Sequence, residues 1–73
     1  MRGIAIGGKE KFELLEKARL DIEYFRNAEE AAEKINGFHF HFVFIRGEDL
    51  RKIEMWKLLE KMQERGTLPV LLL

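Results

Sequence analysis

Seventy-three residues make a single domain, expected over 1–73, and a chain this short buries a modest share of its surface, so its margin of stability is expected to be thin. The absence of cysteine excludes disulfides and thiolate metal sites and is compatible with a reducing cytoplasm. Thirteen basic residues balance thirteen acidic ones, interleaved along the chain, so the strong positive field that nucleic-acid binding uses is missing.

The charged fraction is 36%, against about 25% in ordinary domains. Serine is absent, Thr67 is the only threonine and Gln63 the only glutamine. Such a composition carries the signature of a hyperthermophile. No signal-peptide pattern precedes the first apolar segment. The longest apolar run, "LPVLLL", is far short of the roughly 20 residues that span a bilayer. A cytoplasmic protein without membrane insertion is expected.

In chain order, Arg2 to Ile6 ("RGIAI") predicts a short strand, broken by Gly7-Gly8. Over 9–20, Phe12, Leu15 and Ala18 recur at helical spacing, with Leu14 beside them, which predicts a first helix. Asp21 to Arg26 predicts a second strand, its charges suited to a sheet edge. Asn27 with Glu30 three residues on forms a capping box for a second helix, whose apolar face is Ala28, Ala31, Ala32 and Ile35. Gly37 is placed to end it in a left-handed cap.

The stretch 38–45, "FHFHFVFI", predicts a third strand that is apolar on both faces over its second half, as in the centre of a covered sheet. Glu48 and Asp49 then lead a long helix to Arg65-Gly66, with Leu50, Ile53, Trp56, Leu59 and Met62 recurring every third residue and Met55 and Leu58 widening the stripe. This periodicity places Trp56 in the core, in preference to an exposed partner anchor formed with Met55 and Met62. A fourth strand occupies 67–73, where Pro69 suits an edge.

Strands alternating with helices imply parallel pairing through right-handed crossovers. The expected architecture is a small flavodoxin-like or Rossmann-like βαβαβαβ domain with a four-stranded parallel sheet in the order 2-1-3-4. Ligands of such folds bind beyond the C-terminal ends of the strands, near the switch point between strands 1 and 3. Gly7, Gly8 and Lys9, continuing to Lys11, and Arg46 and Gly47 meet there and form the candidate anion or nucleotide site. The glycines read first as plain turn residues, and neither a P-loop nor a GxGxxG spacing is present.

His39 and His41 share one face of the predicted strand. Two ligands fall short of a zinc site, and no further histidine or cysteine exists to complete it, so no metal and no cofactor is expected. Without serine or cysteine the common acyl-transfer nucleophiles are missing, and no catalytic residue is assigned. The Gly7-Gly8 and Arg46-Gly47 positions also lack the acidic residues and phospho-accepting aspartate of a receiver domain.

In layout the chain resembles a shortened F subunit of the archaeal and vacuolar-type rotary ATP synthases. The stretches that carry the likeness are Ala28-Glu29-Glu30-Ala31-Ala32-Glu33 and Leu68-Pro69-Val70. The family's Gly-Phe-x-Leu-Ala-Gly stretch after strand 1 is replaced by Lys11-Phe12-Glu13-Leu14-Leu15, and no residue role is carried over. The resemblance implies a small α/β fold and a non-catalytic interaction role.

A complete flavodoxin-like domain has a further strand and helix on the helix 1 side. On the layout read here, one face of strands 3 and 4 is expected to be thinly covered. With the phenylalanine row of 38–45 turned to helices 2 and 3, that face comprises His39, His41, Val43, Ile45, Val70 and Leu72; it, or the apolar and sparsely charged edge of strand 4, is the candidate interface of a homo-oligomer, a dimer foremost. The leading functional reading is a non-enzymatic interaction module acting through self-association or a protein partner. An anion- or nucleotide-binding domain is the second, and an enzyme domain completed by another subunit the third.

Overall fold

The computed structural model describes residues 1–72 and, of these, all side chains but those of Lys11, Leu14 and Glu16. Strands β1 (Arg2–Ile6), β2 (Asp21–Phe25), β3 (Phe42–Arg46) and β4 (Leu68–Leu72) form one parallel sheet in the order β2-β1-β3-β4. This is the expected 2-1-3-4 sheet, a small α/β fold. No helix among the described residues is long and apolar enough to cross a membrane.

The helical segments lie in two layers, one on each face of the sheet. Helices α2 (Ala28–Gly37) and α3 (Ile53–Arg65) lie side by side on one face. Their alanines and methionines pack on Ile4, Ile6, Val43 and Ile45, which alternate along β1 and β3. The other face holds Ala5, Phe12, Phe42 and Phe44, with the two β3 rings edge to face at 5.0 Å. The first helix is shorter than its periodicity predicts. A 3₁₀ turn, Lys9–Phe12, leads into a single α turn, α1 (Glu13–Glu16), and Arg19 closes the connection with φ 55°. Phe12 has non-helical angles and is buried against the β3 rings, so the anchor of this layer also interrupts its helix.

Helix α2 begins as its capping residues predict: Asn27 Oδ1 accepts from the Glu30 N–H at 2.9 Å. Its end differs, because Gly37 stays helical and Phe38 is the extended C-cap. The stretch 38–41 is not strand. Phe38 is exposed with the Lys34 ammonium over its ring at 4.5 Å, while Phe40 turns into the α2–α3 core. The period-two pattern is broken before Phe42, so Phe40 and Phe42 lie in different layers. This reverses the expected facing: Val43 and Ile45, not the phenylalanines, meet the helices.

The third helix is also divided. A 3₁₀ segment, Gly47–Arg51, ends at Lys52, whose extended backbone (φ −92°, ψ 134°) precedes α3. The buried face of α3 is Met55, Leu58 and Met62. Ile53 and Trp56 are 73% and 56% exposed, against the expectation of a core tryptophan. Three-residue steps fall short of a turn by about 60° each, so the series from Ile53 to Met62 winds from solvent into the core. Gly66 then takes the left-handed cap (φ 72°), and the Thr67 N–H returns to Met62 O.

Two glycines predict opposite outcomes. A Cβ at Gly3 would overlap the Phe42 ring, whereas one at helical Gly37 meets nothing within 4 Å. Gly3→Ala is expected to cost about 1–3 kcal/mol through overpacking. Gly37→Ala is expected to stabilise by about 0.5–1 kcal/mol through helix propensity. Denaturant melts of the two variants check both signs.

Candidate functional site

The glycine loop leaves β1 at the C-terminal end of the sheet, where β3 also ends. Gly7 has φ 125°, a conformation that favours glycine, and its N–H donates to Phe25 O at 2.7 Å. That donor is therefore committed to β2. A Cβ on Gly8 would overlap the Glu10 carboxylate, so the loop's own anion lies over its second glycine. Lys9 is exposed, and Arg46 and Gly47 are half-buried at the end of β3; the Lys11 side chain lies outside the described set.

Between this loop and the starts of α2 and α3 is a cleft of about 60 Å³, bordered by Gly7, Arg26, Asn27, Asp49 and Lys52. Asp49 is buried and receives the Lys52 ammonium at 3.2 Å, a local pair made possible by the break before α3. Small-molecule sites measure roughly 300–1,000 Å³. As it stands the crevice is filled by this protein's own charges.

The histidines lie at the opposite, N-terminal rim, with their rings edge to face at 5.2 Å. His41 acts as a splice between strands. Its N–H donates to Arg2 O at 2.8 Å, its Nδ1 accepts from the Arg2 N–H at 3.1 Å, and its carbonyl accepts from the Leu68 N–H at 3.0 Å. Beside it, Thr67 Oγ1 donates to Phe40 O at 2.8 Å in a buried setting. Among the described residues no group of three or more His, Cys, Asp or Glu side chains is placed to hold a metal ion.

The predicted interface residues fall in three places. His39 and His41 are exposed at the rim, Val43 and Ile45 are wholly enclosed under α2 and α3, and Val70 and Leu72 are half-buried beside the phenylalanine layer. Val43 and Ile45 are thus core residues, because the break at 38–41 sets the phase of β3. Both faces of β3 are covered, and the thinly covered strand is β4.

The two sheet edges differ in character. On β2, Arg2 approaches Asp21 at 3.8 Å and Glu23 at 3.6 Å, and Lys34 approaches Glu23 at 3.9 Å. Charges of both signs guard that edge. From Thr67 to Leu72 β4 carries no charge, and Leu68 and Leu71 are 67% and 50% exposed. The Leu68 N–H turns toward β3, so Pro69 and Leu71 turn their backbone groups outward. The missing N–H of Pro69 therefore falls on the open side.

Helix α3 continues this surface. Leu59 and Gln63 border an apolar groove of about 410 Å³ with Gly66, Leu68 and Pro69. Trp56 is one turn before Leu59 on the same flank. Its indole Nε1 donates to Leu50 O at 2.7 Å, which holds the ring while leaving its face open. Sequence reading found the apolar strand 4 edge with Pro69, preferred the core to an exposed anchor for Trp56, and missed Leu71.

No family model, curated protein or solved structure matches this chain.

Core and surface positions are separable by one substitution each. Val43→Lys places a charge where none can be solvated and is expected to abolish the fold. Leu71→Lys is expected to leave far-UV circular dichroism and melting within about 1 kcal/mol of the parent. A folded Val43→Lys protein would contradict the assignment of this residue to the core.

Proposed function

We propose that this chain is a non-enzymatic interaction module whose binding surface is the open edge of β4 together with the Trp56 flank of α3. The observation that carries this reading is an uncharged edge strand beside an exposed, hydrogen-bonded tryptophan. Contiguous apolar surface of this kind marks protein interaction sites more often than it occurs by accident. Tryptophan is also enriched among residues that dominate binding energy. The layout resemblance to the F subunit of rotary ATP synthases agrees with a role in association rather than catalysis.

The glycine-loop reading lacks comparable support. Its Gly7 donor is engaged, its cleft is about 60 Å³, and the loop leads into only a 3₁₀ turn and a single α turn.

A photo-crosslinking residue at position 71, compared with one at Glu29 on the exposed side of α2, tests the surface in the native cell extract. Protein adducts, to a second copy or to another chain, are expected from position 71 and not from position 29. Equal yields from the two positions would remove the β4 edge as the binding surface.

A further inference from the structure

We infer that the occupant of the β4 edge is an extended segment of another protein, apolar in part and carrying arginine or lysine, which adds to the sheet as a further strand and sets its cations against Glu60 and Glu64. This inference rests on the interaction-module reading and specifies the partner.

The edge supplies main-chain groups. The Pro69 C=O and the Leu71 N–H and C=O turn outward. They lie beside the apolar groove of about 410 Å³ that Leu59 and Gln63 border on α3. A strand added there bonds to these groups, and every second side chain of it faces α3.

Charge selects what that strand carries. The exposed surface of α3 is sorted by sign in rows of residues four apart. Lys57, Lys61 and Arg65 form the row on the α2 side, where Lys61 and Arg65 reach Asn36. Trp56, Glu60 and Glu64 form the row next to Leu59 and Gln63, on the β4 side. Lys52, one turn before Trp56, is held by Asp49 in the crevice at 3.2 Å. Both glutamates are exposed, and among the described residues no cation lies within ion-pairing distance of either. Like charges four apart weaken a helix, and opposite charges at that spacing support it. The strand itself adds no charge from Thr67 to Leu72. The charge beside the groove is thus of one sign, and its complement is a cation.

Trp56 suits the same ligand. Its indole is held by Leu50 O with the ring face open, one turn before Glu60. A guanidinium over that face is attracted by the ring and lies within a turn of the Glu60 carboxylate. The other occupants are served less well. Nucleic acid meets two carboxylates where it needs cations. A second copy paired edge to edge brings the same uncharged strand and leaves the glutamates unanswered.

The probe is a labelled short peptide alternating arginine and valine, with one alternating glutamate and valine as its counterpart. Each is titrated into the pure chain by fluorescence anisotropy, with amide spectra and Trp56 emission in parallel. The arginine peptide is expected to bind, shift the Leu71 amide and change the emission; the glutamate peptide is expected to do none of these. Glu60→Lys combined with Glu64→Lys should weaken binding roughly tenfold or more while circular dichroism stays native, and added salt should weaken binding to the parent. If the double variant proves unfolded, Glu64→Gln and the salt series decide. No binding of the arginine peptide, equal binding of both peptides, or binding indifferent to the glutamates and to salt would overturn the inference. So would a dimer of the pure chain that excludes the peptide. Any of these results alongside protein adducts from position 71 in the extract would sink the basic partner alone; loss of those adducts as well would remove the interaction reading.

Discussion

Burial of β3 on both faces is the constraint from which the other elements take their positions. Val43 and Ile45 meet the paired helices, and Phe42 and Phe44 meet the thinner layer beneath. The thin layer suffices because its bulk comes from the strand itself. Three aromatic rings, Phe12, Phe42 and Phe44, fill a space that one helical turn could not. Aromatic side chains remove more surface per residue from water than any others. The upper layer is built the opposite way. There Ala28 and Ala31 bring α2 close to the sheet, and the larger Met55, Leu58 and Met62 come from α3.

Residues outside β3 answer to it. Gly3 leaves room for the Phe42 ring, and Thr67 caps the Phe40 carbonyl as the chain dips from one layer to the other. His41 occupies the crossing point and bonds strands on either side. The histidine pair therefore has a structural role in holding the strand that gives it its position. The alternating "HFH" pattern suggests ligands only if 38–41 is strand, and it is not.

Topology was legible in the sequence because it depends on element order and crossover handedness, and both survive errors of a few residues. The Asn27 cap was legible because its chemistry is local. The phase of β3 was not, because one irregular residue reverses every later side chain, and nothing in "FHFHFVFI" marks where regular pairing begins. The surface on α3 was hidden for a related reason. Counting by threes from Leu50 joined a 3₁₀ segment to a helix across the break at Lys52 and treated a winding series as one face. Of the candidate site, the open β4 edge and its proline were visible; Trp56 could be placed on the flank only once the rotation of α3 was known.

That rotation connects the core to the surface. Met55, Leu58 and Met62 lock α3 about its axis, and Arg65 ties its last turn to the α2 terminus through Asn36 O at 2.7 Å. With the helix so held, Trp56 has one position relative to β4, and its bond to Leu50 O restricts the ring further. An aromatic anchor already immobilised in the free protein loses little rotamer freedom on association, a cost of about 0.5–1.5 kcal/mol for a mobile side chain. The strand beside it is equally preset, because its inward bonds to β3 leave Pro69 and Leu71 facing out in fixed alternation. A short chain with a thin margin of stability thus presents a rigid apolar side without spending core residues on it: Met55, Leu58 and Met62 supply the packing, while Trp56 and Leu71, which contribute little to the fold, remain available for binding.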